Sequence, residues 1–285
     1  MKKKRKRKLI HRLLIVALIV LLIWTVWSNF ALEATPITII KESLPQSFDG
    51  FKIALVSDLH NARFGNNNEK LIKILEDAKP DLIAITGDVI DSRRTDVSVA
   101  LEFASRAAKV APCYYVSGNH EGLVSDAEYQ RLKTGFEEIG VIILEDREEI
   151  LEVGGEKISL IGIDDPLTCK NGGIALNMNA QELDALNSLG GFSILLSHRP
   201  EFFETYAEAG VDIVLSGHVH GGQFRLPFVG GLYSPSQGFF PEYDAGVFSQ
   251  DGTDMVVSRG LGNSLFPIRF NNRPEVVIIE LKTEQ

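Results

Sequence analysis

Potential metal ligands recur at the ends of five short apolar runs in this chain. Each run ends in a small residue followed by a ligand, over residues 51–58, 81–88, 114–119, 192–198 and 211–218. Short β-rich runs bounded by turn residues are typical of buried strands, and functional groups in open α/β sheets lie beyond the carboxyl ends of such strands. We therefore expect the five ligand positions to converge on one edge.

The donors at that predicted edge are nitrogen and oxygen atoms, with no thiolate. They belong to Asp58, His60, Asp88, Asn119, His198, His218 and His220, and His120 lies directly beside Asn119. Imidazole and carboxylate suit zinc, iron or manganese. Seven donors exceed what one ion with an open position needs, so the set favours two metal ions that share a bridging carboxylate.

The length and composition predict one globular domain with an N-terminal appendage. The 285 residues are 45% hydrophobic, which is enough for one substantial core. Residues 1–12 contain eight Lys or Arg, and residues 13–32 contain no charged residue. Twenty apolar positions are long enough for a helix that spans a bilayer.

A cleaved secretory signal is the alternative to an uncleaved membrane anchor. Signal peptides usually have a shorter apolar region and end at a small-residue cleavage site. Here the apolar stretch ends in Trp24, Trp27 and Phe30, which suit an interfacial aromatic belt, and residues 31–34 are a poor cleavage site. The sequence therefore favours a single-pass anchor with a cytoplasmic N-terminus and an extracytoplasmic domain, by the positive-inside rule.

Charge and cysteine content limit the possible partners. The whole chain has a formal net charge of −9, and without the basic leader the remainder has 21 basic and 38 acidic residues, a net charge of −17. Such a domain repels polyanions, so we expect no nucleic-acid partner, whereas small phosphoesters remain possible. Cys113 and Cys169 are predicted to be unpaired thiols, although a single disulfide is not excluded by the sequence.

Helical and extended patterns alternate along the rest of the chain. The sequence predicts helices over residues 67–79, 179–189 and 200–209, and another that starts at the Ser125 capping box and ends at Gly140. Runs without intervening helix, at residues 141–144, 149–153 and 157–163, predict a second, more antiparallel sheet. The fold class is therefore α/β, with two packed mixed sheets flanked by helices.

The ordered motifs closely resemble those of the calcineurin-like metallophosphoesterases. They are D-x-H at 58–60, G-D-x-x-D at 87–91, G-N-H-E at 118–121, the single His198 and G-H-x-H at 217–220. The resemblance covers about residues 50–282. Residues 218–223, 258–263 and 272–275, together with the anchor, resemble a membrane-tethered bacterial phosphodiesterase branch, some of whose relatives are classed with UDP-2,3-diacylglucosamine pyrophosphohydrolases.

The resemblance implies a role for each candidate site residue. One ion would be bound by Asp58, His60 and His220, the other by Asn119, His198 and His218, and Asp88 would bridge both. His120 would donate a proton, with Glu121 either orienting it or lying in solvent. The metals would be manganese, iron or zinc, with manganese favoured. The mechanism implied is attack of a metal-bridged hydroxide on phosphorus.

One departure from the family pattern bears on the substrate. Protein phosphatases of the superfamily have an arginine two residues after G-N-H-E, where this chain has Leu123, so a phosphoprotein substrate is not expected. Four arginines lie near the motifs and are candidate phosphate ligands or structural ion-pair residues: Arg63, Arg199, Arg225 and Arg259.

Together these observations predict a membrane-anchored, dinuclear metal-dependent phosphodiesterase or pyrophosphohydrolase that acts on a small phosphoester or a lipid-linked phosphate. The alternatives are an extracytoplasmic phosphomonoesterase and a metal-stabilised binding protein without turnover, and no obligate protein partner is inferred. The predicted segments are a basic leader at residues 1–12, a transmembrane anchor at 13–32, a connector with the opening strand at 33–49 and the metallophosphoesterase domain at 50–285. The glycine-rich stretch 217–246 is predicted to form hairpins on the body or a substrate wall that faces the bilayer.

Overall fold

Two six-stranded sheets form the body of the protein, and helices cover the outer face of each sheet. The computed structural model describes residues 2–169, 179–264 and 266–284. The predicted leader begins and the predicted catalytic domain ends outside these ranges, at Met1 and Gln285. Cys113 and Cys169 are both buried and free among the described residues, as the sequence predicted.

The first sheet has a parallel centre and contains the segment that follows the N-terminal helix. In spatial order its strands are β1 (Glu33–Lys41), β16 (Glu275–Thr283), β2 (Lys52–Val56), β3 (Leu82–Thr86), β4 (Cys113–Val116) and β5 (Ile142–Ile143). Strands β2, β3, β4 and β5 are parallel to one another, β16 is antiparallel to β2, and β1 pairs in parallel with β16 along nine residues.

The second sheet is parallel at its centre and antiparallel at both edges. Its strands in order are β14 (Gly246–Gln250), β15 (Thr253–Val257), β9 (Ile213–Ser216), β8 (Ser193–Leu196), β7 (Glu156–Gly162) and β6 (Arg147–Val153). Residues 141–144, predicted for this sheet, instead supply β5 of the first. A short apolar run does not specify its pairing partner, which explains the misplacement.

The sheets pack face to face, and alternate residues of each strand serve two different cores. In β2, Ile53 and Leu55 belong to the core between the sheets, whereas Ala54 and Val56 belong to the core under the helices. Because both faces of the strand are covered, residues 53–56 are apolar at every position and not at every second one.

Within the described ranges, three helices cover the first sheet and two shorter ones cover the second. The first group is α2 (Glu69–Ala78), α3 (Val97–Ala107) and α5 (Asp126–Ile139); the second is α6 (Ala180–Asp184) and α7 (Phe203–Glu208). The one-turn helix α4 (Asn119–Gly122) follows β4. The capping box at Ser125 is confirmed, since Ser125 and Glu128 exchange side-chain and backbone bonds. The helix predicted over 179–189 ends early, at Asp184.

The arrangement of helix, sheet, sheet and helix confirms the predicted fold class. An exposed helix, α1 (Lys2–Phe30), precedes it and contains a segment, Lys4–Phe30, that is long and apolar enough to cross a membrane. The stretch 217–246 forms two short hairpins, β10 (Arg225–Leu226) with β11 (Gly230–Gly231) and β12 (Tyr233–Ser234) with β13 (Gly238–Phe239).

Candidate metal centre

The predicted ligands lie at the carboxyl ends of five strands, three in one sheet and two in the other. Strands β2, β3 and β4 lead to Asp58, Asp88 and Asn119, and strands β8 and β9 lead to His198 and His218. The sequence predicted one edge, and the structure shows two adjoining edges of packed sheets. The centre therefore draws its side chains from both sheets, which rigidly fix their spacing.

Five of the candidate ligands have left-handed backbone conformations. Their φ angles are between 43° and 72°, for Asp58, His60, Asp88, His218 and His220. Residues with a Cβ seldom adopt this conformation, and it persists only where surrounding contacts enforce it. The turns after β2, β3 and β9 thus hold their carboxylates and imidazoles in orientations that relaxed loops would not maintain.

Two glycines allow the turns to approach each other closely. A Cβ on Gly118 would lie 2.4 Å from Asp88 Oδ1, and a Cβ on Gly217 would lie 1.8 Å from Ser57 Oγ. Both distances are far shorter than van der Waals contact. Glycine at these two positions is therefore required for the strand ends to meet.

Asp58, His60 and His220 form a first group of converging donor atoms. The Nε2 atoms of His60 and His220 are 3.2 Å apart, and Asp58 Oδ1 lies 3.9 Å from the first and 3.6 Å from the second. All three residues are buried. Their ligand atoms lie close enough together to bind a single cation.

Asp88, Asn119, His198 and His218 form a second group. His198 Nε2 is 3.3 Å from Asp88 Oδ2, 3.2 Å from Asn119 Oδ1 and 3.1 Å from His218 Nδ1. Asp88 Oδ2 is also 3.5 Å from His60 Nε2 in the first group. One carboxylate oxygen therefore lies between the two groups, where it can contact ions in both.

The chemistry of these donors fits cations. His198 Nδ1 lies 2.7 Å from the Thr86 carbonyl, so in the neutral ring Nδ1 carries the hydrogen and Nε2 presents a lone pair to other electron-rich atoms. The ring nitrogens that meet other donors are His60 Nε2, 3.2 Å from His220 Nε2, and His218 Nδ1, 3.1 Å from His198 Nε2. The other nitrogens of these two rings, His60 Nδ1 and His218 Nε2, are buried and have no hydrogen-bond partner among the described residues. Where two facing nitrogens both present lone pairs in a buried volume, a cation between them stabilises the arrangement.

Burial keeps three of the imidazole ligands neutral, whereas Asp88 favours the protonated form of His198, whose proton a bound metal ion would have to displace. Burial lowers the pKa of His60 to about 3 and lowers the pKa values of His218 and His220 well below the usual range. These imidazoles are neutral at pH 7 and can act as ligands. Burial also acts to lower the pKa of His198, but the Asp88 carboxylate outweighs it and raises the pKa to about 10, so Asp88 attracts positive charge to this position.

His120 lies beside the first group, and its contacts define the tautomer of its neutral ring. The Ser92 backbone N–H donates to His120 Nδ1 over 3.0 Å, which places the hydrogen of the neutral ring on Nε2. His120 Nε2 is 3.0 Å from Ser264 Oγ, and the ring meets that of His60 edge-on at 4.5 Å. A nitrogen that bears a proton thus lies beside the candidate metal ligands.

Glu121 neither contacts the His120 ring nor lies in solvent, the two positions expected for it. It is almost fully buried, and its carboxylate accepts backbone N–H bonds from Gly118 at 2.7 Å, Asp88 at 2.8 Å and Ile90 at 3.2 Å. The structure thus corrects the expectation that Glu121 orients the His120 ring, a contact that Ser92 makes instead. Glu121 joins the loops after β3 and β4 and so positions Asp88.

The four candidate arginines form ion pairs. Arg259 pairs with Glu33 and Glu275, Arg199 with Asp165 at 2.6 Å, and Arg225 with Asp244 at 3.0 Å. Arg63 pairs with Glu102 at 2.8 Å but also borders a cavity of about 400 Å³ beside His60. That cavity is also lined by Arg94, Asn263 and Pro267, so it adjoins the first donor group at His60.

Sequence reasoning missed Arg269, the largest fully buried side chain among the described residues. Its guanidinium donates to the carbonyls of Arg259 at 2.7 Å and Gly262, and to Asn263 Oδ1 at 3.0 Å. One of its nitrogens also lies 3.2 Å from His220 Nδ1. Arg269 lies between residues 258–263 and 272–275, the segments that resemble the phosphodiesterase branch. These segments indicated the loop but not the role of Arg269.

Replacing Arg269 by methionine is expected to destabilise the protein by about 3–5 kcal/mol, because buried oxygens would lose a charged partner. Thermal unfolding of the full chain in detergent measures the loss. Arg63→Met is the matched control and should cost less than about 1 kcal/mol, since its ion pair is half-exposed. Equal stability of the two variants would contradict the structural role of Arg269.

Comparisons with known proteins agree with the fold and the motif set. The family model described as "Calcineurin-like phosphoesterase" matches residues 51–222. The chain is 32% identical to "Uncharacterized metallophosphoesterase YkuE" of Bacillus subtilis, over 88% of this chain and 86% of the relative, and 29% identical to "Phosphodiesterase YaeI" of Escherichia coli, over 81% and 82%.

Among solved structures, the sulfate thiohydrolase SoxB of Thermus thermophilus superposes with a TM-score of 0.51 at 14% identity, over 84% of this chain and 57% of that one. This likeness shows the fold alone. The family match and the relatives confirm the superfamily that the motifs predicted, and that family uses divalent metals. The chain belongs to the calcineurin-like phosphoesterase family and is a metal-dependent phosphoester hydrolase.

Proposed function

We propose that this protein is a membrane-anchored phosphodiesterase or pyrophosphohydrolase with two divalent cations, manganese being favoured. The observation that carries the proposal is the position of Asp88 Oδ2, 3.5 Å from His60 Nε2 and 3.3 Å from His198 Nε2. A carboxylate between two donor groups supports two cations and not one. The relative named as a phosphodiesterase supports diester chemistry.

The ligand roles follow the two donor groups. Asp58, His60 and His220 would hold one cation, and the other would be held by the second group: Asn119, His198 and His218, with Asp88 shared. When bound, such a pair of cations supplies Lewis-acid activation of water and neutralises the charge of the phosphate. The left-handed turns keep the donors in place before the substrate arrives.

His120 is the proposed proton donor to the leaving oxygen. Ser92 donates to Nδ1 and so keeps the proton on Nε2, the atom that faces Ser264 across 3.0 Å. A leaving alkoxide or phosphate requires a proton or a cation, and an imidazole N–H at the edge of the site provides one. Asp88 Oδ1 accepts the His120 backbone N–H at 2.7 Å, which fixes the donor relative to the metal ligands.

Attachment to a membrane is part of the proposal. Helix α1 is exposed along its apolar length, and Trp24 and Trp27 lie together near its end at a ring separation of 5.1 Å. The basic leader predicts a cytoplasmic N-terminus and an extracytoplasmic catalytic domain. A lipid-linked phosphate or a sugar nucleotide with acyl chains is the substrate class that such an anchor favours, because it concentrates the domain at the bilayer.

The reaction type is tested by comparing a phosphodiester and a phosphomonoester of one chromogenic alcohol, with the full chain in detergent and added Mn²⁺. We expect faster turnover of the diester, because Leu123 stands where the superfamily's protein phosphatases have an arginine. A strong preference for the monoester would contradict the proposal and support an extracytoplasmic phosphomonoesterase. Metal binding without any hydrolysis would indicate a binding protein.

A further inference from the structure

The end of helix α1 is fixed to the loop that borders the metal centre. Asn29 exchanges two hydrogen bonds of 2.8 Å with the Arg269 backbone, and Arg273 lies over the Trp27 ring at 4.7 Å. Arg273 also donates to the Ala31 carbonyl at 2.7 Å. The helix therefore leaves the domain at a defined place, and a membrane that contains the helix must lie against the surface around residue 269.

Exposed apolar side chains occur on the two hairpins and on the loop beside that place. We call this group the apolar rim; it consists of Phe228, Val229, Phe239, Phe240, Phe266 and Ile268. Phe228 is fully exposed at the tip of the β10–β11 hairpin, and Phe239 is 77% exposed. Single exposed apolar residues are common on proteins, whereas a cluster of this kind marks a surface that contacts another apolar phase.

A chain of contacts connects the rim to the helix end. Ile268 directly precedes Arg269, whose backbone binds Asn29. Phe266 is 6.1 Å from Tyr233 between ring centroids, and Tyr233 is 5.4 Å from Phe239. Phe224, which precedes the β10–β11 hairpin, is 6.0 Å from Phe266 between ring centroids. The loop of Phe266 and Ile268 and the two hairpins therefore adjoin the point where α1 emerges.

We infer that the apolar rim inserts into the outer surface of the lipid bilayer that α1 spans, so that the hairpins and the helix hold the metal centre at the depth of the lipid headgroups. Transfer of exposed Phe and Ile side chains from water to the boundary of headgroups and acyl chains is favourable. The apolar face of an amphipathic segment lies about 5–10 Å deep at this boundary. The inference rests on the proposed membrane anchor.

Docking of the rim has a direct consequence for substrate access. Asn263 and Pro267, in the same loop as Ile268, line the cavity beside His60, and Ser264 contacts His120. The mouth of the site would then face the membrane surface. This favours an amphiphile whose phosphate lies at headgroup depth and whose acyl chains remain in the bilayer.

Depth-dependent fluorescence quenching tests the docking without any assay of activity. Bimane is attached to Phe228→Cys and Phe239→Cys, each in the full chain in phosphatidylcholine nanodiscs that contain lipid with a doxyl group high on the acyl chain. Both replaced side chains are exposed, so the fold should tolerate their loss. Leu189→Cys is the matched control, an exposed apolar residue before β8, at the opposite end of the strands from the metal centre.

We expect doxyl lipid to quench the two rim probes at least roughly twofold more than the control, as insertion by several ångströms requires. Iodide in the water should quench the control more than the rim. Rim probes quenched by iodide and not by doxyl lipid would overturn the inference. Probes shielded from both quenchers would show that protein, such as a second copy of this chain, covers the rim, and would also overturn it.

A probe at Leu18→Cys separates failure of the docking from failure of the anchor. If doxyl lipid quenches this probe but not the rim probes, the anchor stands and the docking alone is refuted. Absence of quenching at Leu18 would refute the membrane span, and the docking inference with it.

Discussion

Replacing Asp88 by asparagine is expected to reduce kcat for phosphodiester hydrolysis by at least about a thousandfold, because the carboxylate shared by both donor groups is lost. The substitution preserves the shape of the side chain, and the amide oxygen can still accept the His120 backbone N–H that Asp88 Oδ1 now accepts at 2.7 Å. An amide nitrogen in place of Oδ2 offers no lone pair to a cation. Steady-state kinetics with saturating Mn²⁺ measures the effect.

Asp212→Asn is the control for this substitution. Asp212 precedes β9 at the other end of the strand from His218, and its two carboxylate oxygens accept bonds from the Ser43 hydroxyl and the Ser193 backbone N–H. In asparagine the amide oxygen can accept from the Ser193 N–H, and the amide nitrogen can donate to the Ser43 hydroxyl. We expect the kcat of this variant to be within about threefold of the wild-type value, because the substitution is conservative and lies away from the metal centre. An Asp88→Asn protein that folds normally and hydrolyses diesters at the wild-type rate would refute the shared role of Asp88.

Replacing His120 by glutamine is expected to lower kcat by about 10²–10⁴-fold for a diester with an alkyl alcohol as leaving group, since the proton on Nε2 is lost. A nitrophenolate leaving group needs little protonation, so its release should change far less. This dependence on the leaving group distinguishes a proton donor from a residue that only supports the fold. Rates for the two classes of diester, measured with one enzyme preparation, provide the comparison.

Ser92→Ala serves as the control for His120. Both the backbone N–H and the hydroxyl oxygen of Ser92 lie 3.0 Å from His120 Nδ1. Alanine removes the hydroxyl but keeps the N–H, which still donates to Nδ1 and fixes the tautomer. We expect this variant to retain most of its activity on both classes of diester. If His120→Gln slowed both classes equally, the proton-donor role would be contradicted.

The sequence was sufficient to predict the strand ends and the donor atoms. Each ligand follows an apolar run, and both faces of these strands are covered, so the runs are continuous and easily recognised, as at β2 and β9. The ordered motifs then predicted the superfamily. The structure brings all seven predicted ligands together in one region, with the distances given above.

The pairing of the strands was not predictable from local patterns. Residues 141–144 were predicted for the second sheet but contain β5 of the first. The prediction was wrong because a two-residue pairing leaves no periodicity that identifies the neighbouring strand. Helix α3 (Val97–Ala107) was not predicted, although its buried residues recur at helical spacing after the N-cap residue Asp96. The misplaced strand concerns tertiary context, whereas the missed helix has a local pattern that was overlooked.

The contacts around the ligands were also beyond the sequence. Arg269 and Ser264 come from a loop more than forty positions after the G-H-x-H motif, and only the fold shows that they reach His220 and His120. Glu121 was identified by its neighbour in sequence, yet its carboxylate binds backbone amides on two loops. Adjacent residues in a one-turn helix point in different directions, so proximity in sequence did not give the partner.

The most direct test of the two-cation centre is the metal content of three full-chain proteins: the wild type, His220→Ala in the first donor group and His218→Ala in the second. Each protein is purified with Mn²⁺ and measured by inductively coupled plasma mass spectrometry. We predict two ions per chain in the wild type and one in each variant, because each histidine serves a different group. A single ion per wild-type chain, lost in both variants, would contradict the account.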